Sequence, residues 1–224
     1  MEMLKIFIAK LLRKFGYKII AYESVPYNPK ILQVYEVLYE IIQILEKRSI
    51  KGAFVECGYG QGRSFAVLSH FADKSGRKIF GFDSFEGFPN VTPADYSSRN
   101  PKRGEWSVRT LKEANKFLKS LGLFKNSSNY KLKKLVFDAN TSNPIPNEKI
   151  ALLHIDLDLY EGYKYALEIF FNQIQIGGII LFDEYNNYKW PGASKAVNDF
   201  LTSKNLSTKH IKEIRGKYYL IKSK

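Results

Sequence analysis

The chain has 224 residues, enough for one domain with a single buried core, and its 45% hydrophobic and 25% charged residues are ordinary values for a globular protein. One cysteine, Cys57, excludes an internal disulfide framework and a cysteine-built zinc site, and three histidines argue against a histidine-rich metal site. The net charge of +13 increases attraction to nucleic acid, anionic lipid or acidic substrates without identifying one of them.

Two helices are predicted before the first strand. Residues 1–20 carry apolar residues at helical spacing together with five basic residues. A core-facing or dimer-forming helix explains this pattern, and a helix on a membrane surface is the alternative. Residues 30–48 form the second helix. No secretory signal or spanning run is visible, so we expect a cytoplasmic protein. A dimer-forming helix over residues 1–20 would make it a homodimer, and a membrane-surface helix would place it on the inner membrane face.

A glycine-rich turn follows the first predicted strand. The apolar run that begins at Ala53 ends in Glu56, and Gly58, Gly60 and Gly62 precede a helix. A strand, a tight turn and a helix N-terminus in this order hold a nucleotide-like cofactor at the carboxyl end of a parallel sheet. Taken alone, the motif also fits an ordinary turn between a strand and a helix.

A second strand ends in a carboxylate and narrows the choice of cofactor. Residues 78–83 close on Asp83, 27 residues after Glu56, where a carboxylate can accept hydrogen bonds from both hydroxyls of a ribose. The turn reads G-x-G-x-G, whereas a dinucleotide with its pyrophosphate favours G-x-G-x-x-G. S-adenosylmethionine (SAM) has no phosphate, so the pattern favours SAM over NAD.

The rest of the chain alternates between helices and strands. A long loop or lid over residues 84–104 is followed by these predicted elements: helix 105–121, strand 131–137 ending at Asp138-Ala139, strand 150–155, helix 161–173, strand 179–182, helix 191–203, and strands 207–213 and 217–221. This order predicts a Rossmann-like class I SAM methyltransferase fold, an α/β domain over residues 49–224. Its doubly wound, mostly parallel seven-stranded sheet would end in an antiparallel hairpin. Residues 1–48 would form a helical lid, dimer or membrane-surface element.

Four carboxylates follow two of these strands, namely Asp156, Asp158, Asp183 and Glu184. Carboxylates brought together without compensation repel each other, and a hard divalent cation such as Mg²⁺ removes that repulsion. Helix capping is the alternative, although it does not account for pairs at two strand ends. His154 is predicted to be a buried strand residue.

A metal beside SAM suggests a mechanism in which a vicinal diol of a sugar or catechol chelates Mg²⁺. A carboxylate then accepts the hydroxyl proton, and the oxygen attacks the sulfonium methyl. Trp106, Tyr185 and Trp190 are candidates for lining the acceptor site, although aromatic residues are more often part of a core.

Two other functions are compatible with parts of the pattern. An RNA methyltransferase would use the basic surface, but acidic strand ends would repel RNA, so a nucleic-acid partner is not expected. A non-catalytic SAM-fold module would have no use for these carboxylates.

Five sequence blocks together are similar to the macrocin O-methyltransferase family of SAM- and magnesium-dependent enzymes that act on sugar hydroxyls. The blocks are VECG (55–58) with GQGRS (60–64), then GFDSFEGFP (81–89), LHIDLDLYE (153–161), GGIILFDEY (177–185) and PGASKAV (191–197). The resemblance implies a small-molecule or glycan acceptor. It also implies that Asp156, Asp183 and Glu184 are metal ligands and that Asp158 is the general base.

The cofactor-binding candidates lie on the glycine-rich turn and at the ends of the following strands: Glu56, Gly58, Tyr59, Gly60, Arg63, Ser64, Asp83, Ser84, Asp138, Ala139 and Asp156.

The chain departs from the family pattern at two places. Asp183-Glu184 stands where the family usually has two aspartates, and Gly162-Tyr163 stands where it usually has a serine–threonine pair.

Overall fold

The computed structural model describes residues 29–122 and 129–223, with side chains from residue 32 onward. The helix predicted over residues 1–20 lies outside the described residues. The chain divides between Leu32 and Gln33, and apart from the first residues of helix α1 the features below belong to the unit Gln33–Lys224. The division that the sequence predicts at residue 48 stays a prediction.

Five helices and seven strands make up the described part of the chain. The helices are α1 (Pro29–Lys47), α2 (Arg63–Ser75), α3 (Leu111–Ser120), α4 (Tyr160–Phe170) and α5 (Pro191–Ser203). The strands are β1 (Ala53–Cys57), β2 (Ile79–Asp83), β3 (Tyr130–Lys134), β4 (Ile150–Ile155), β5 (Ile174–Phe182), β6 (Ile211–Ile214) and β7 (Lys217–Ile221). Short 3-10 turns lie at Pro93–Asp95, Phe171–Gln173 and Thr208–His210. None of the described helices is long and apolar enough to cross a membrane.

The seven strands form one sheet in the order β3-β2-β1-β4-β5-β7-β6. Strands β1 to β5 pair in parallel, and β7 runs antiparallel to both β5 and β6. This topology confirms the predicted doubly wound α/β fold with a C-terminal antiparallel hairpin. The strand order reverses direction between β1 and β4, and ligands of open α/β sheets bind at the carboxyl ends of the strands at such a point.

Strand β1 shows how the sheet separates two apolar layers. Val55 belongs to the cluster on the α4 and α5 side, together with Phe170, whereas Phe54 packs with Leu38 of α1 and Phe65 of α2 on the other side. Successive side chains on a strand point to opposite faces, so a fully buried strand requires apolar residues at nearly every position. Each of these side chains contributes about 1.5–3 kcal/mol by leaving water.

Several predicted boundaries are wrong. Strand β5 begins at Ile174 rather than residue 179, and β6 begins at Ile211 rather than residue 207. Helix α3 begins at Leu111 rather than residue 105, because Thr110 and Glu113 form a capping box: the Glu113 N–H donates to Thr110 Oγ1 at 3.3 Å, and the Thr110 N–H donates to Glu113 Oε2 at 2.9 Å. Strand β3 ends at Lys134 rather than residue 137. The Leu135 N–H donates to the carbonyl oxygen of Asp83 at 2.8 Å, and β2 ends there, so the next residues turn away from the sheet.

Candidate active site

A cavity of about 350 Å³ opens at the carboxyl ends of the parallel strands. Its walls come from the glycine-rich turn, the loop after β2, the residues after β3 and the residues after β4. The lining residues that bear on the chemistry are Gly58, Gly60, Asp83, Ser84, Glu105, Trp106, Asp156, Asp158, Glu161 and Gly162. The position is the one that the strand order predicts for a ligand site.

Gly58 allows the end of β1 to approach the end of β4 closely. Its φ is +95°, and a methyl group at this position would lie 1.7 Å from the carbonyl oxygen of Asp156. Any residue with a side chain would therefore both strain the backbone and separate the two strand ends. The glycine keeps the cofactor turn next to Asp156.

Asp83 organises the glycine-rich turn. Its Oδ2 accepts hydrogen bonds from the N–H groups of Tyr59 at 2.7 Å and Gly60 at 3.1 Å, and its Oδ1 accepts one from the Phe85 N–H at 2.6 Å. A carboxylate has about four acceptor positions, so these three bonds leave about one for a ligand. Asp83 thus holds the turn in place and still lines the cavity.

The structure separates the predicted cofactor residues into two groups. Gly58, Gly60, Asp83, Ser84 and Asp156 line the cavity. The other six do not line it. Glu56, Tyr59 and Ser64 are buried, Arg63 and Ala139 are exposed, and Asp138 forms a turn with Asn140 and Thr141. After β3, residues 135–137 face the cavity instead. The roles of the second group in cofactor binding stay predictions.

The four predicted carboxylates converge as the sequence indicates. Ligand atoms of Asp156, Asp158 and Glu184 lie within 4.8 Å of one another, and so do those of His154, Asp156 and Asp183. Asp156 therefore belongs to both groups. Burial, together with the Asp183 carboxylate, raises the pKa of Asp156 to about 7.

Glu184 is fixed by Tyr163, which is fully buried on α4. The Tyr163 hydroxyl donates to Glu184 Oε2 at 2.6 Å and accepts from the Glu184 N–H at 3.1 Å. Burial raises the pKa of Glu184 well above its usual value, and the carboxylates of Asp183, Asp156 and Asp158 add to the increase. Gly162, the residue before Tyr163, lines the cavity, so these two neighbours have different environments.

Asp183 is the one carboxylate of the four that forms an ion pair with a basic residue of the described chain. Lys217 Nζ lies 2.6 Å from its Oδ2, and His154 Nε2 lies 3.9 Å from its Oδ1. Although burial acts to raise the pKa of Asp183, His154 and Lys217 hold it well below its usual range. Asp183 therefore stays ionised at neutral pH.

Asp158 has an uncommon backbone conformation. Its φ is +60°, in the left-handed region, and only 7% of the residue is exposed. Backbone strain of this kind is often found at functional sites, where the surrounding structure maintains it. Burial raises the pKa of Asp158 well above its usual value, and Asp156 and Asp183 reinforce the effect. A carboxylate with a raised pKa is a stronger proton acceptor.

His154 has an ionic environment that sequence reasoning missed. It is a buried strand residue, as predicted, but its Nδ1 lies 2.9 Å from Oε1 of the fully buried Glu56. Burial acts to lower the pKa of His154, but the carboxylates of Asp183 and Glu56 outweigh that effect and raise it to about 10. Glu56 and His154 are register partners in neighbouring strands, a pairing that the sequence does not reveal.

The cavity is acidic although the whole chain is strongly basic. Five carboxylate residues line it, namely Asp83, Glu105, Asp156, Asp158 and Glu161, and no lysine, arginine or histidine from residues 29–122 and 129–223 does so. Such a lining favours cationic groups, including a sulfonium, an ammonium and a metal ion, and disfavours phosphate.

The residues fit both of the predicted ligands. Ligand atoms of Asp156 lie within 4.8 Å of those of Glu184 in one group and of those of Asp183 in the other, so these three residues can supply oxygen ligands, which suits Mg²⁺. Burial first, and repulsion between carboxylates second, raises the pKa values of Asp156, Asp158 and Glu184, and a cation would relieve that repulsion. Gly58, Gly60 and Asp83 form a turn without a basic residue, which suits SAM better than a dinucleotide.

Comparison with protein families gives a match over most of the chain. Residues 33–219 match the family described as macrocin-O-methyltransferase (TylF). Among curated proteins, none matches the chain at a significant level.

Solved structures share the fold. The O-methyltransferase NovP is 20% identical, with 86% of this chain and 80% of that chain covered and a TM-score of 0.72. The calicheamicin methyltransferase CalS11 is 23% identical, with 95% and 90% covered and a TM-score of 0.68. An apo structure of CalS11, described as a TDP-rhamnose 3'-O-methyltransferase, is 22% identical, with 95% and 91% covered and a TM-score of 0.59.

Proposed function

The chain belongs to the macrocin-O-methyltransferase (TylF) family, and from this membership we propose that it transfers a methyl group from SAM to a sugar hydroxyl with the assistance of Mg²⁺. The family consists of O-methyltransferases, so methyl transfer from SAM to oxygen is the reaction itself. The metal and the acceptor class are the parts that we propose. One observation carries them: Asp156 and Asp158 line the same cavity as Asp83 and the glycine-rich turn.

The residues of the turn bind and orient the cofactor. Asp83 accepts hydrogen bonds from the N–H groups of Tyr59 and Gly60, and its remaining acceptor position accepts a hydrogen bond from a ribose hydroxyl. These hydrogen bonds come from within the protein, so the turn is held in place independently of contacts with the ligand. Preorganisation of this kind lowers the free-energy cost of association.

The carboxylates at the ends of β4 and β5 act on the acceptor. When bound, SAM supplies the methyl group and Mg²⁺ lowers the pKa of an acceptor hydroxyl. Asp156, Asp183 and Glu184 would hold the ion, and Asp158 accepts the hydroxyl proton. Asp158 lines the cavity next to Asp156, which places its carboxylate where it can accept this proton, and general-base catalysis typically contributes about 10²–10⁴-fold.

A sugar acceptor is supported by the family and by the cavity. The family takes its name from an O-methyltransferase of macrocin, and CalS11 is described as a TDP-rhamnose 3'-O-methyltransferase. Sugar hydroxyls can donate hydrogen bonds to the carboxylates that line the cavity, and a vicinal diol can bind a cation with two oxygens. The same lining disfavours the phosphates of RNA, despite the net charge of +13.

The test combines binding with methyl transfer. Calorimetry should show binding of S-adenosylhomocysteine, and labelled SAM should methylate members of a panel of glycosides only when Mg²⁺ is present. Asp183→Asn should abolish transfer, while Asp199→Asn, which changes an exposed carboxylate on α5, should not. Binding of NAD in place of S-adenosylhomocysteine, or full activity in excess chelator, would contradict the proposal.

Three expectations from the sequence are tested by none of these observations. The homodimer, the cytoplasmic location and the membrane contact through residues 1–20 stay predictions.

A further inference from the structure

A cluster of aromatic rings borders the cavity at the loop that follows β2. The ring centres of Phe88, Trp106 and Trp190 lie 5.4–5.7 Å from one another. Phe88 and Trp106 both line the cavity, but Phe88 is almost completely buried, as is Trp190, whereas Trp106 is 53% exposed. Ligand cavities typically combine aromatic walls with a few polar groups, so the exposed ring is available to a ligand.

Arg99 holds the two tryptophans together. Its guanidinium carbon lies 5.2 Å from the centre of the Trp106 ring and 5.3 Å from that of the Trp190 ring. The same guanidinium donates to the two carboxylate oxygens of Glu105 at 2.9 and 3.3 Å. A cation above an aromatic face is attracted to it, and the bidentate pair fixes the direction of that cation.

The backbone around Trp106 is also fixed. The Phe88 N–H donates to the carbonyl oxygen of Glu105 at 2.9 Å, and the Gly104 N–H donates to the carbonyl oxygen of Phe88 at 2.8 Å. Trp106 itself has a φ of +64°, which is an outlier for a bulky residue. This conformation directs a large ring toward the cavity, and strain of this kind is often part of a ligand-binding site.

The charge of the cavity restricts what can pack on this ring. Asp156 and Asp158 line the same cavity, and no basic residue of the described chain does. A phosphate or carboxylate inside the cavity would be repelled. An uncharged ring with hydroxyl groups can donate hydrogen bonds to these carboxylates and place its C–H bonds on an aromatic face, which carries partial negative charge.

We propose that Trp106 is the stacking platform for the acceptor, and that the acceptor unit inside the cavity is an uncharged pyranose ring. This inference rests on the proposed function and specifies its substrate. One C–H face of the sugar packs on the indole ring, while the hydroxyls on its edge are directed to the carboxylates after β4. Phosphate groups of a nucleotide- or lipid-linked acceptor remain outside the cavity.

The experiment uses the two tryptophans of the chain, both of which are in this cluster. In Trp190→Phe, Trp106 is the only tryptophan, so its fluorescence reports the site directly. This variant, saturated with S-adenosylhomocysteine and Mg²⁺, is titrated with methyl α-L-rhamnopyranoside and methyl β-D-glucopyranoside. Glucuronate and oligouridylate serve as anionic probes. We expect saturable changes with a neutral glycoside, and binding of glucuronate weaker by about tenfold or more.

A second measurement tests the role of the ring in catalysis. Trp106→Ala should raise the KM for a neutral glycoside about tenfold with little change in kcat, and Trp106→Phe should recover most of the loss. Tyr188→Ala is the matched control, because Tyr188 is exposed on a neighbouring loop and does not line the cavity. S-adenosylhomocysteine affinity should stay the same in all of these variants.

Three outcomes would overturn the inference: no fluorescence change with either glycoside, stronger binding of glucuronate or oligouridylate, or an unchanged KM in Trp106→Ala. Failure of the proposed function is distinct from these, because it would appear as absent S-adenosylhomocysteine binding or absent methyl transfer in the unmodified protein.

Discussion

The hydroxyl of Tyr163 lies 2.6 Å from Oε2 of Glu184, and both residues are buried where α4 packs against the end of β5. The resemblance to the family implies a departure from its pattern at both positions, and the structure brings them into direct contact. Glutamate is one methylene longer than the aspartate that the resemblance leads one to expect. The Tyr163 hydroxyl forms hydrogen bonds with both the carboxylate and the backbone N–H of Glu184, which fixes the direction of the longer side chain.

Removal of this hydroxyl should weaken metal binding. In Tyr163→Phe, the buried Glu184 loses its shortest hydrogen bond and keeps only the longer one from the Asp158 N–H at 3.4 Å, which costs about 1–3 kcal/mol of stability. We expect urea unfolding to show that loss and calorimetry to show about tenfold weaker Mg²⁺ binding. Tyr160→Phe is the control, since Tyr160 is on the same helix as Tyr163 but its hydroxyl donates to the exposed Asp199 of α5 at 2.8 Å. Equal Mg²⁺ affinity in both variants would show that Tyr163 does not position Glu184.

Asp83→Asn should weaken cofactor binding. The amide keeps one acceptor oxygen but replaces the other with a donor, which faces backbone N–H groups of the turn. We expect the affinity for S-adenosylhomocysteine to fall about tenfold or more in calorimetry. Asp73→Asn, an exposed change on α2, is the control and should bind normally. Unchanged affinity in Asp83→Asn would rule out a role for Asp83 in the cofactor site.

Asp158→Asn should separate activity from stability. The amide removes the proton acceptor, so turnover should fall about 10²-fold or more while S-adenosylhomocysteine affinity stays constant. Without metal, the variant should be more stable than the unmodified protein, because a buried carboxylate that is repelled by Asp156 and Asp183 is gone. Asparagine also tolerates the left-handed conformation. Normal turnover would show that the base lies elsewhere.

The charged pair of Glu56 and His154 should make stability depend on pH. The pKa of His154 is 6.5 in the unfolded reference and about 10 in the fold, so its contribution is complete below pH 6.5 and is lost as the pH rises through about 10. In chelator, the free energy of unfolding should therefore fall between pH 7 and 10. The expected slope for one proton is about 1.4 kcal/mol per pH unit at most.

The double variant Glu56→Gln with His154→Gln is the comparison for this measurement. It replaces both charged partners with neutral side chains that still form hydrogen bonds, so its stability should change less over the same pH range. Parallel curves for the double variant and the unmodified protein would show that the pair is not the source of the pH dependence.

Much of the fold and part of the site follow from sequence patterns that act over short distances. The apolar runs that end in Glu56, Asp83, Asp156 and Asp183 predict parallel strands, and parallel strands bring their carboxyl ends to one edge of a sheet. This arrangement of the strands is therefore enough to predict that the carboxylates converge. The position of the glycine-rich turn next to Asp83 follows for the same reason.

The tertiary structure alone decided which of these side chains contact each other. The contact of Tyr163 with Glu184, the pairing of Lys217 with Asp183 and the pairing of His154 with Glu56 depend on helix packing and strand register across wide separations in the chain. Local propensities do not determine register, because it is chosen by the burial of many apolar side chains at once. Sequence patterns therefore locate the site, whereas packing sets the charge and direction of each group within it.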